Sequence, residues 1–131
     1  MEEKRGQEVI FKNLWKELKK KYKVKKEFIC LSIIFDKDKS ITISYEFNAF
    51  IISMYSEELK KEVGYVSGNG VRFWHDGTIW NWKPPKNLEW HFNKANELYS
   101  KDKKFVKFHK EICKEVKTFL TPNSIKFINS L

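Results

Sequence analysis

The sequence predicts an α+β fold: an N-terminal helix, an antiparallel sheet of about five strands built from two hairpins, and two to three C-terminal helices packed on that sheet. Three observations carry this expectation. Apolar residues recur at three- and four-residue spacing up to about residue 23, alternate with polar residues over the next two stretches, and return to helical spacing from about residue 87. Strands and helices are thus segregated along the chain, which argues against the alternating order of a parallel sheet.

The first helix is expected from about Gln7 to Lys23, where Ile10, Leu14, Trp15, Leu18 and Tyr22 form one apolar stripe. Its other face is lysine. A hairpin follows, with Ile29, Leu31, Ile33 and Phe35 on one strand and Ile41, Ile43, Tyr45 and Phe47 on the other, joined through Asp36-Lys37-Asp38-Lys39. Both apolar sets must face the same side. Odd positions therefore pair with odd positions, which requires a connection of three or five residues. Residues 49–55 read as a third strand, and Ser56 as the cap of a short helical turn. Ser67-Gly68-Asn69-Gly70 reads as a loop, since it lacks the strand-to-helix context of a phosphate cradle.

Asp76-Gly77 between apolar stretches signals a second hairpin, from Val71 to Trp82. A two-residue loop there sets Phe73 opposite Trp80 and Val71 opposite Trp82. Those four then share the core face, and Arg72, Trp74, Ile79 and Asn81 share the other. Pro84-Pro85 ends the strand. Asn87 is expected to cap a helix to about Tyr99, and Asp102 a second one with Phe105, Phe108, His109, Ile112, Val116 and Phe119 as its stripe. Ile125, Phe127 and Ile128 suggest a last short helical segment after Thr121-Pro122.

The 131 residues fit a single domain spanning 1–131. No run of apolar residues is long enough for a membrane span, and the charged N-terminus lacks the apolar stretch of a signal peptide. Two cysteines, Cys30 and Cys113, both inside apolar patterns, read as buried thiols in a reducing, cytoplasmic setting. The sequence holds no Cys-x-x-Cys, no His-x-x-x-His, no glycine-rich nucleotide fingerprint and no P-loop, so neither a metal nor a cofactor is expected.

Charge is the broadest functional signal. The net charge of +9 favours an anionic partner, nucleic acid or an acidic protein surface, and no membrane. Of the 26 basic residues only Arg5 and Arg72 are arginine, the residue suited to bidentate recognition of phosphates and bases. The candidate binding residues are Lys12, Lys16, Lys19, Lys20 and Lys23 on the first helix, together with Arg72, Trp74, Lys83 and Lys86 around the second hairpin. Lysines 103, 107, 110, 114 and 117 line a later helix, but Glu111 and Glu115 interleave with them as ordinary helical pairs. Trp74 is the indole most expected at the surface, because its face also carries Arg72 and Asn81.

The leading expectation is a non-catalytic binding or regulatory accessory protein, of the inhibitor or toxin–antitoxin accessory type. It would dock on or occlude nucleic acid or a protein that handles it, with lysines steering the encounter and aromatics near Trp74 locking it. A small basic ribonuclease-like toxin is the enzymatic alternative. It would use His75 or His91 as acid or base, two histidines that only the tertiary fold can bring together. A structural domain that self-associates through the hairpin is the third. The sequence leaves the oligomeric state open.

Overall fold

The computed structural model describes residues 11–27, 30–46, 49–63, 70–74 and 78–120. The first helix, α1 (residues 11–18 of the described chain), buries Leu14 and Leu18 and half-buries Phe11 and Trp15. It ends at Leu18 rather than continuing to Lys23: the amide of Tyr22 still reaches the Leu18 carbonyl at 2.9 Å, and the chain then turns into an unexpected strand, β1 (Val24–Glu27). Beyond Leu18 only Tyr22 carries the apolar stripe, so packing no longer supports a helix there. Val24 packs against the core instead.

The sheet continues with β2 (Cys30–Ile34), β3 (Lys39–Glu46), β4 (Ala49–Ser56) and β5 (Val71–Phe73), in the spatial order β1-β2-β3-β4-β5 with every neighbouring pair antiparallel. The expected register holds. Leu31 pairs with Ile43 and Ile33 with Ile41, and the last pair, Ile34 with Ser40, leaves a five-residue connection. On β4 and β5 the same face continues through Ile52, opposite Ile43, and Phe50, opposite Phe73. The sheet reaches five strands with β1 as a member. The return strand expected after Asp76-Gly77 contributes only a single bridge, Phe73 to Ile79.

The helices cover this apolar face. A short α2 (Glu57–Val63) follows β4 directly, and Ser56 caps it as expected, its hydroxyl accepting from the Leu59 amide at 3.3 Å. A 3-10 turn (Lys86–Leu88) leads into α3 (Glu89–Ser100), whose cap position is Leu88 with no side-chain bond, so Asn87 does not cap it. The last described helix, α4 (Lys103–Phe119), is capped by Asp102, which accepts from the Phe105 amide at 3.1 Å. Its stripe behaves as the spacing predicts: Phe105, His109, Ile112 and Val116 are buried. These side chains, with Leu14, Leu18, Ala95 and Tyr99, close one core against the sheet. Residues 125–128, expected as a final helical segment, lie outside the described residues.

The β2–β3 turn does more than reverse the chain. Asp36 accepts from the amides of Asp38 and Lys39, which shapes the turn itself. Asp38 reaches α2, accepting from the Ser56 hydroxyl at 2.5 Å and the Glu57 amide at 2.9 Å. Lys39 bonds the Asp102 carboxylate that caps α4. The Ser56 hydroxyl, then the Glu58 and Glu57 amides, hold Asp38 below the usual carboxylate range, and Lys39 followed by the Phe105 amide does the same for Asp102. A depressed folded pKa means that this stability is fully present above the ordinary value of 3.8 and is lost as the pH falls through the folded value. The thermal midpoint is therefore expected to drop on acidification below about pH 4, and Asp38→Asn to flatten part of that drop in the same melts. Equal pH dependence in the variant would show that the turn carboxylate is not responsible.

Candidate functional site

Two surfaces compete for a functional role, and the sheet separates them. The first is the outer side of the helical layer. Lys12, Lys16, Lys19 and Lys20 are all exposed on α1 or the turn after it, and Lys103, Lys107, Lys110, Lys114 and Lys117 are exposed on α4. Lys23 is exposed too, but past the end of α1, where its carbonyl accepts from the Ile34 amide. The two helices pack on the same sheet face: Leu14 and Leu18 share the core with Ile112 and Val116. Tyr22 meets the Phe108 ring edge at 5.7 Å, and Lys21 pairs with Glu115 at 2.8 Å. Glu17 is paired with Lys20 at 3.1 Å. Among the described residues, two of the three carboxylates on α1 and α4 are thus matched by lysines already, and Glu111 remains against the rest.

One ring does sit among these lysines, and it is Trp15. It is half-buried, with the Lys19 ammonium 4.2 Å and the Lys26 ammonium 5.2 Å from its ring centre. The i,i+4 spacing of Trp15 and Lys19 is the sequence signal for this contact.

The second surface is the hairpin after residue 70. The Trp74 amide donates to the Thr78 carbonyl and the Trp80 amide to the Arg72 carbonyl, both at 2.9 Å. Arg72 therefore stands opposite Trp80, and three residues rather than two separate Trp74 from Thr78. The tip itself, residues 75–77, lies outside the described residues. This one-residue shift moves Trp80 and Trp82 off the core face and onto the face of Arg72 and Trp74. Trp74 and Trp80 stack at 4.7 Å with planes 23° apart, and the Arg72 guanidinium lies 4.0 Å over the Trp82 ring. Trp82 meets Phe92 of α3 edge-on at 5.3 Å. Phe73 stays buried in the core as expected, while Ile79, placed opposite it, is 57% exposed. Trp74 is exposed at the surface, at 36%. Lys83 and Lys86 are exposed on the segment leading to α3.

Strand alternation fixes how the two surfaces relate. Val71 and Phe73 point into the core under the helices, so Arg72 and Trp74 point to the opposite face of the sheet. The α1 lysines and Trp74 do not belong to one site.

Among the described residues, the histidines are held by different elements. His75 lies outside the described residues. His91 donates from Nδ1 to the Val63 carbonyl at 2.8 Å and meets the Trp90 ring edge-on, an arrangement that ties α3 to α2. His109 is buried, and its Nε2–H donates to the Ile52 carbonyl at 2.9 Å, anchoring α4 to β4. Burial holds its pKa below the ordinary value and pushes the Cys113 thiol beside it up to about 12. Cys30 and Cys113 are free thiols. No cluster of three metal-ligating side chains occurs among the described residues, and no described helix is long and apolar enough to cross a membrane. Comparison of the chain with protein families, curated proteins and solved structures returned no match.

Proposed function

We propose that this is a non-catalytic binding protein that docks on nucleic acid through the lysine-coated side of α1 and α4. The carrying observation is that the two helices lie on the same sheet face, so their exposed lysines form one surface on which two of the three described carboxylates are already paired with lysines. Lysine supplies point charge without the planar fork that reads bases. A surface of this kind neutralises phosphates and ignores sequence, which suits an accessory protein that coats or occludes its partner. Unpaired thiols fit a reducing, cytoplasmic compartment.

Binding to a labelled oligonucleotide, followed by fluorescence anisotropy over a range of salt, tests the reading. Log affinity is expected to fall linearly with log salt, at roughly −0.7 per phosphate neutralised for a single strand. Replacing Lys12, Lys16, Lys19 and Lys20 together by Gln is expected to weaken binding and to make that slope shallower by roughly 0.7 for each phosphate the variant no longer neutralises. A flat salt response, or a variant that binds like the parent, removes the helical side as a phosphate surface. Salt-sensitive binding to polyglutamate with none to oligonucleotides would redirect the reading to an acidic protein.

A further inference from the structure

The face of the sheet turned away from the helices has no part in that reading, yet it is organised. Neither α1 nor α4 packs on it, but α2 reaches its edge where Lys60 lies over Tyr55, α3 meets Trp82 through Phe92, and Ala49 and Ile51 of β4 are buried on this side. Its middle is a ladder row of hydroxyls, Ser32 beside Thr42 beside Ser53, all half-exposed. At one end stand the stacked indoles of Trp74 and Trp80. Three cations border it. Lys25 extends the hydroxyl row on β1, the Lys60 ammonium sits 5.6 Å over the Tyr55 ring, and Arg72 lies on Trp82. Against them stands the Glu27 carboxylate on the outermost strand.

We infer that this face takes the unpaired bases of a single-stranded nucleic acid, an inference that rests on nucleic acid being the partner. Three chemistries converge on that ligand. An exposed indole accepts any base, because every base has a π-face. Hydroxyls serve as donors to phosphate oxygens and as acceptors from sugar O–H and base N–H groups. The positive border complements the strand's charge. A duplex cannot use the indole, since its bases are stacked on one another inside the helix, whereas it can still lie along the helical lysines. Within the Trp74–Trp80 stack Trp74 remains more than a third exposed.

Titration of the full chain with a short unstructured oligouridylate and with a duplex of equal length separates the two faces. Trp74→Ala is expected to weaken the single strand about tenfold and to leave the duplex unchanged, and Trp74→Phe to restore most of the loss. Thr42→Glu, which puts a carboxylate in the hydroxyl row without touching the indoles, is expected to weaken the single strand selectively as well. The inference is overturned if both the Trp74→Ala and Thr42→Glu variants bind the single strand as the parent does, or weaken strand and duplex equally. If the four-lysine variant still loses affinity for both ligands in that case, the helical side stands alone as the binding surface. Should the parent bind neither ligand, this inference and the proposed function fail together.

Discussion

Replacing Phe105 by alanine is expected to lower the unfolding free energy by about 3–5 kcal/mol, the range for emptying a buried aromatic site. Phe105 is fully buried in the first turn of α4. Its ring stacks on Phe35 from the β2–β3 turn at 5.2 Å and lies 6.1 Å from Tyr99 of α3. Three separate elements therefore meet on one side chain. The neighbours are stiff rings, which collapse poorly into a void, so the cost should sit toward the top of that range. Urea denaturation would read it as a lower midpoint with an unchanged slope. A loss under about 1 kcal/mol would mean that α4 is seated elsewhere.

Gly70→Ala is expected to cost about 1–3 kcal/mol by overpacking. A Cβ at this position would lie 2.2 Å from the Ser53 hydroxyl, 2.8 Å from the Ile51 side chain and 3.0 Å from the Ile52 carbonyl. The serine rotor can turn away, but the carbonyl belongs to β4 and cannot. β5 would have to draw back from β4, and the Arg72 guanidinium, which donates to the Gly70 carbonyl at 3.0 Å, would move with it. Tryptophan fluorescence should shift in the folded state of the variant, since Arg72 rests on Trp82. A spectrum and midpoint equal to the parent's would show that the gap between β4 and β5 is wide enough for a methyl group.

The difference between the two hairpins explains what is legible in the sequence. In β2 and β3 the apolar positions alternate with Ser32, Ser40, Thr42 and Ser44, so only one register buries the apolar set. In the second hairpin both faces are apolar. Val71, Phe73 and Ile79 occupy one, and Trp74, Trp80 and Trp82 the other, so alternation cannot choose between registers one residue apart. Asp76-Gly77 argues for a two-residue loop, and the pairing of Arg72 with Trp80 shows the other register. β1 is hidden for a different reason. Val24-Lys25-Lys26-Glu27 has one apolar residue in four, and a strand pairing on one edge needs only its backbone to be available. The lysines are legible as a charged face. Their placement across the sheet from Trp74 depends on strand parity and on which face the helices cover, and neither is local.

Surface turns ordinarily absorb added residues with little penalty, because nothing else depends on their length. The segment from Asp36 to Lys39 is an exception. Neighbouring residues there, Asp38 and Lys39, serve helices that begin far apart in the chain, one at Glu57 and the other at Lys103. Lengthening the segment by a single amino acid would pull at least one of them out of reach of its partner. This short stretch thus behaves as a keystone whose dimensions are set by the rest of the molecule, and drift in its length is closed to the protein even though it lies at the periphery.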